Sequence, residues 1–192
     1  MSQTAGTDEI RISIATMEDR ERVLSAVSSA FRNDPFLRRL FPDDADYAAH
    51  APTFFGALFD KRVGAGTIWM ADAASSIAMW DGPGSMPLPV LDLPKPALQL
   101  LSEYDDAVES AFPDDRHWYL GVLATDPLQA GRGLGRAVMR AGLARAAAEG
   151  LPAFLETTNE QNVPLYERAG WMVAAELEAP MRIWVMRQDP PA

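Results

Sequence analysis

One segment constrains the fold of this chain more than any other. From Trp118 to Thr125 the sequence is an almost unbroken apolar run, and it leads into a turn with glycines at 131, 133 and 135. The helical pattern of Leu134, Val138 and Ala141 follows at once. A short apolar run of this kind reads as a strand buried on both faces, and Gly121 inside it marks a place for a bulge. Strand, glycine turn and helix in that order gather backbone N–H groups at a helix N-terminus, where they and the helix dipole form an anion site. Glycine at three positions lets the main chain approach a ligand with no side chain in between. Two familiar phosphate cradles are excluded by residue identity. A Walker loop requires Lys and then Ser or Thr after its last glycine, where this chain has Arg136 and Ala137. A dinucleotide fingerprint fails at Arg136 when counted from Gly131, and at Val138 when counted from Gly133.

The flanking segments read as the rest of a mixed α/β domain. Ile10, Ile12 and Ile14 alternate with Arg11 and Ser13, the period of a strand. Thr16 stands as a helix N-cap with Glu18 and Asp19 in the first turn. Val23, Leu24, Val27 and Phe31 continue that helix until Pro35 interrupts it. Phe54, Phe55, Leu58 and Phe59 predict a second helix ending near Gly64 and Gly66, and Thr67 to Ala71 and Ser76 to Trp80 predict two strands. Prolines and glycines from Gly82 to Pro96 predict a loop, and Leu98, Leu101, Tyr104 and Val108 another helix. The helix after the glycine turn stops at Gly150 and Pro152, with Gly142 inside it at some cost in propensity. Ala153 to Thr157 reads as a strand, Val163 to Arg168 as a short helix with Pro164 in its first turn, and Trp171 to Leu177 and Met181 to Met186 as a final strand pair. The expectation is one domain over residues 1–192, with its core between residues 10 and 187.

Composition removes several classes of function. The chain of 192 residues is long enough to bury a core without covalent staples. It has no cysteine, which excludes disulfides, thiolate metal sites and a cysteine-bound acyl group. With His50 and His117 as its two histidines, no metal is expected. A net charge of −10 argues against nucleic acid as a partner; it is compatible with a cationic small amine, though charge alone favours plain solubility. The polar, acidic start from Met1 to Asp8 lacks the features of a signal peptide. No window approaches the roughly 18 apolar residues of a membrane helix. A cytoplasmic protein, off the membrane and either monomer or homodimer, is expected.

Two segments together resemble the GNAT superfamily of N-acetyltransferases, and the likeness extends from Ile10 to Met186. Gly131-Arg132-Gly133-Leu134-Gly135-Arg136 is similar to the diphosphate loop of that family, with Ala130 where Gln or Arg is usual and Gln129 one place earlier. Asn162-Val163-Pro164-Leu165-Tyr166-Glu167-Arg168-Ala169-Gly170-Trp171 is similar to the family element in which an Asn contacts CoA and a Tyr follows; Asn159 competes for the Asn role. Residues 30–35, 68–71, 78–80, 152–157 and 178–186 resemble the puromycin N-acetyltransferase subgroup. The resemblance implies a mixed sheet of six to seven strands, splayed between strands 4 and 5 and flanked by helices. It implies acetyl-CoA as cosubstrate, no metal, and direct acetyl transfer to a primary amine of a small molecule. A peptide or protein amine, or a CoA-binding sensor without turnover, are the alternatives.

The same resemblance implies roles for individual residues. Leu123, Ala124 and Thr125 would pair with the pantetheine arm, and a backbone N–H there would donate to the oxyanion. Gly131, Arg132, Gly133, Leu134, Gly135 and Arg136 would hold the diphosphate, with Asn162 and Tyr166 as further CoA contacts. Tyr166 would protonate the departing thiolate, since a phenol near 10 can serve a thiol of about 8.5. Glu156, at the end of the fifth strand, is either the base that deprotonates the amine (directly or through a positioned water) or an ordinary exposed carboxylate. His117 is a weaker base candidate. For the acceptor, Asp34, Phe36, Phe41, Trp80 and Tyr104 would suit an aromatic, cationic amine, though such aromatics also serve as plain core.

Overall fold

A computed structural model describes residues 10–191; the stretch Met1 to Asp8, read above as lacking a signal peptide, lies outside them. Runs of branched and aromatic residues give seven strands: β1 (Ile12–Ile14), β2 (Ile68–Ala71), β3 (Ser76–Asp81), β4 (Trp118–Thr125), β5 (Ala153–Thr157), β6 (Met172–Leu177) and β7 (Ile183–Gln188). They form one sheet in the order β1-β2-β3-β4-β5-β7-β6. All neighbours are antiparallel except β4 and β5, which run parallel. The helices are α1 (Arg20–Ala30), α2 (Pro35–Leu40), α3 (Asp44–Val63), α4 (Lys95–Ala111), α5 (Leu134–Ala148) and α6 (Val163–Glu167).

Alternation along the strands gives the sheet two apolar faces, and each is covered by its own helices. Ile68, Met70, Ile77 and Met79 pack with residues of α1 to α4 in one core. Trp69, Ala71, Ala78 and Trp80 pack with Leu134, Val138 and Met139 of α5 in the other. Strand β4 changes sides part-way. Trp118 and Leu120 belong to the α5 core, whereas Val122 and Ala124 belong to the opposite one. The pairing with β3 explains the switch: Met79 faces Val122 and Trp80 faces Leu120, so Gly121 is skipped. One unpaired residue in a strand inverts which face the following side chains take. The bulge expected from Gly121 is therefore present.

Three elements differ from the sequence expectation. Helix α3 begins well before Phe54, because the Asp43 carboxylate caps it by accepting from the Asp46 N–H at 2.8 Å and Asp44 and Asp46 favour its positive end. The break at Pro35 is followed by α2, with Pro35 in its first turn and Asp34 as its cap. Helix α4 begins inside the expected Gly82–Pro96 loop, since Pro96 in a first turn lacks only an N–H that would have no partner there. Gly142 has a packing reason. A Cβ at that position would lie 2.2 Å from the Trp80 indole, so α5 can cross the sheet at this depth only with glycine. Among the described residues no helix is long and apolar enough to cross a membrane.

Candidate active site

The site lies where β4 and β5 part. They pair at three positions only, Trp118 with Ala153, Tyr119 with Phe154 and Leu120 with Leu155. Beyond Leu120 the bulge turns β4, while Glu156 and Thr157 continue pairing with Val185 and Trp184 of β7. A gap opens between the two strands. On its β4 side, Asp126 N–H donates to the Ser75 carbonyl at 2.9 Å, which fixes the phase of the ladder with β3. Because alternate residues of an antiparallel strand direct their main-chain groups to opposite sides, Ala124 also faces β3, and its carbonyl accepts from Ser76 Oγ at 2.8 Å. Leu123 and Thr125 then direct N–H and C=O into the gap. This corrects the expectation for Ala124: its main chain is engaged with β3, and only its two neighbours are open.

At the end of that edge stands the glycine turn. Gly131 and Gly133 have φ of 82° and 79°, and a Cβ at either would meet nothing within 4 Å. Gly133 is the N-cap of α5, so the first amides of this helix face open space. Gly135 is a close approach instead, since its Cβ would lie 3.0 Å from Thr125 Oγ1. Leu134 contributes its backbone here, because its side chain is buried in the core. Arg132 is held beside the turn by Gln129 Oε1 at 2.6 Å and Asp72 Oδ2 at 3.2 Å. Gln129, one place early for the family pattern, thus reaches the loop through Arg132. Arg136 and Arg140 are exposed along α5. Glycines free of neighbours, an uncapped helix start and nearby guanidinium groups fit a diphosphate.

Across the gap is Glu156. Its Oε1 accepts from the Tyr119 hydroxyl at 2.8 Å and, at 3.4 Å, from the Tyr104 hydroxyl. Its Oε2 is buried with no hydrogen-bond partner. Desolvation raises this carboxyl from its ordinary 4.5 to about 7, although the Tyr119 and Tyr104 hydrogen bonds pull the other way. The choice left open by the sequence thus falls against an exposed carboxylate. Tyr104 is stacked on Phe36 with ring centroids 4.0 Å apart. Asp34, next in line, caps α2 by accepting from the Phe36 and Leu37 N–H groups, both at 3.0 Å and both at Oδ1. Desolvation raises its carboxyl too. Tyr104 and Tyr119 also line a cavity of about 490 Å³ whose walls carry Lys61, Asp81, Asp105 and His117. The two phenols therefore stand between that cavity and Glu156.

Tyr166 approaches from the α5 side, half-buried, with its ring edge-on to Trp171 at 6.4 Å. Its hydroxyl has no partner among the described residues. Desolvation, with smaller contributions from Glu156 and Asp34, pushes the phenol well above 10, so it remains protonated at any working pH. That widens the mismatch with a thiol beyond what the sequence alone suggests. Asn159 accepts from Gln161 N–H at 3.1 Å as the cap of a short 3-10 turn. Asn162 reaches Thr157 Oγ1 at 3.4 Å and leaves its amide oxygen unengaged.

Two acceptor candidates are corrected. Trp80 is fully buried beneath α5 and Phe41 is 1% exposed among Tyr47 and His50, so both are core. Tyr104 does reach Glu156, Phe36 is stacked on Tyr104, and the Asp34 carboxylate acts on Tyr104 and Tyr166. His117 lies in the cavity wall against Phe112 and Phe154. Sequence reading missed Tyr119, whose one available signal was a phenol in a run otherwise fit for the core.

A match to a family model decides what this site belongs to: residues 20–171 fit the acetyltransferase (GNAT) family. The chain belongs to the GNAT acetyltransferase family. It is accordingly an acyltransferase, and acetyl-CoA is the cosubstrate that this family uses. Solved structures share the fold at low identity. A Corynebacterium glutamicum protein described as histone acetyltransferase HPA2 and related acetyltransferase is 24% identical over 95% of this chain and 97% of that one, with a TM-score of 0.71. Arylalkylamine N-acetyltransferase 2 from Aedes aegypti is 12% identical over 96% and 100%, with a TM-score of 0.70. A polyamine N-acetyltransferase from Drosophila melanogaster is 14% identical over 94% and 100%, with a TM-score of 0.69.

Proposed function

We propose that this GNAT protein transfers the acetyl group of acetyl-CoA directly to a primary amine of a small molecule, with Glu156 as the base and Tyr166 as the acid. The observation that carries the reading is Glu156 Oε2, buried and without a partner where β4 and β5 part, in surroundings whose desolvation pushes the carboxyl up to about 7. A carboxylate of that pKa can take a proton from an ammonium and return it to solvent at neutral pH. Tyr119 and Tyr104 hold Oε1, so Oε2 receives the amine proton as nitrogen attacks the thioester carbon. The free N–H groups of Leu123 and Thr125 are the candidates to meet the developing oxyanion. As the carbon–sulfur bond breaks, the Tyr166 hydroxyl donates its proton to the sulfur, and the phenolate so formed takes a proton back from solvent. The amides at Gly131, Gly133 and Gly135, with Arg132 and Arg136, hold the diphosphate, and Asn162 offers its amide oxygen to the CoA arm. The absence of a cysteine to carry the acetyl group supports transfer within a ternary complex.

The acceptor would be a small cationic amine. Asp105 beside Glu156, Asp34 facing Tyr166 and the overall charge of −10 make the site attractive to cations. The puromycin-type segments and the aromatic pair Phe36–Tyr104 favour an amine with a ring. Thiol release from acetyl-CoA, measured against aromatic monoamines, aliphatic diamines and peptides with a free N-terminus, tests this. Turnover with the small amines is expected. Turnover with peptides only would overturn the acceptor class, and no turnover with any of them would overturn the enzyme.

A further inference from the structure

We propose that Arg62 is a positioning residue of the acetyl-transfer site, holding both the β4 bulge and the Tyr119 side chain from behind. The inference rests on the reading of Glu156 given above. Arg62 lies in the last turn of α3 and is only 2% exposed. Its guanidinium donates to the Leu58 carbonyl at 3.0 Å and to Asp81 Oδ2 at 2.5 Å, and Lys61 shares that carboxylate at 2.9 Å. Asp81 lies opposite Tyr119 in the β3–β4 ladder. One guanidinium nitrogen fills the space that a side chain at Gly121 would need, since a Cβ there would lie 2.7 Å from it and 3.0 Å from the Tyr119 ring. Gly121, Tyr119 and Arg62 thus meet at one point, and that point is the bulged residue itself.

Two consequences follow from this geometry. The first concerns the backbone. The bulge decides that Leu123 and Thr125, and not Ala124, face the gap, so whatever holds Gly121 in place also holds the edge offered to the CoA arm. The second concerns charge. Arg62 acts on Tyr119, which donates to Glu156, and does so as a buried cation whose one carboxylate partner is shared with Lys61. Glu156 itself is acted on by Tyr119 from β4 and by Tyr104 and Asp105 from α4, while Tyr119 faces Arg62 and Asp81, with Lys61 on the same carboxylate, and Tyr166 from α6 faces Glu156 and Asp34. Removing the cation weakens the anionic form of Glu156.

Arg62→Met and Arg62→Lys test the assignment, with acetyl-CoA affinity measured by calorimetry without amine and kcat/KM measured against pH. Arg62→Met is expected to weaken acetyl-CoA binding severalfold, lower kcat by about tenfold to a hundredfold, and move the acid limb to higher pH by roughly half a unit. Arg62→Lys, which keeps the charge but not the planar fork, restores the acid limb and not the affinity. Asp81→Asn, which releases the guanidinium without removing it, also weakens binding and serves if Arg62→Met fails to fold. Folded variants with wild-type affinity and a wild-type acid limb would overturn the proposal. If Glu156→Gln keeps full activity, the reading of Glu156 fails, and the affinity change alone then decides for or against Arg62.

Discussion

Replacing Glu156 by Gln should remove activity and stabilise the fold, and both effects come from one buried oxygen. In the folded protein the carboxyl is raised from 4.5 to about 7 by desolvation. It keeps its proton between these values while the unfolded chain has lost it, so stability contributed by this group is full below about pH 4.5 and is lost as pH rises through 7. At about 1.4 kcal/mol for each unit, ionising Glu156 costs the folded state about 3 kcal/mol by pH 8. Gln removes that cost and its Oε1 still accepts from Tyr119 and Tyr104. It places an amide NH₂ where Oε2 has no partner, which returns about 1 kcal/mol. The net expectation is a gain of about 2 kcal/mol at pH 8 and none at pH 5. Urea unfolding at the two pH values measures it. In parallel, kcat/KM of the wild type should fall tenfold per unit below pH 7, whereas the variant loses roughly 10²–10⁴-fold and its acid limb. A variant no more stable at pH 8 than the wild type would show that Glu156 is not desolvated, and one keeping the acid limb would show that it is not the base.

The other expectations concern single contacts. Tyr166→Phe should lower kcat by about 10²–10⁴-fold with acetyl-CoA affinity nearly unchanged, as read by steady-state kinetics and calorimetry; full retained activity would remove the acid from Tyr166. Tyr119→Phe deletes a hydrogen bond that favours the carboxylate, so the acid limb of kcat/KM should move to higher pH; an unmoved limb would mean that Tyr119 does not act on Glu156. Gly142→Ala should destabilise the fold by about 2 kcal/mol, because overpacking against Trp80 outweighs the gain in helix propensity. Thermal unfolding should show a drop of roughly 4–8 °C, and an unchanged or higher Tm would refute the packing argument.

Much of the fold was legible because it rests on neighbours in sequence. Alternation and short apolar runs located all seven strands, and the order strand, glycine turn, helix located a turn in which Gly131 and Gly133 take φ near 80°. The Asn162–Tyr166 segment was legible for the same reason: it is one local turn and helix. The long start of α3 was not, because its cap lies before any apolar periodicity.

What only the tertiary structure decided is where distant residues meet. Tyr119 and Tyr104 reach Glu156 across 37 and 52 residues of chain, and Arg62 arrives from another helix. No local pattern encodes those distances, so neither the raised carboxyl of Glu156 nor the partnerless Oε2 could be read in advance. Trp80 shows the converse: its sequence suits a ligand-binding wall, and its burial against Gly142 makes it core. Sequence alone determined which backbone would bend and which helix would begin, because those are properties of adjacent residues. Which oxygen is left buried without a partner was decided by packing, which depends on everything that folding brings around it.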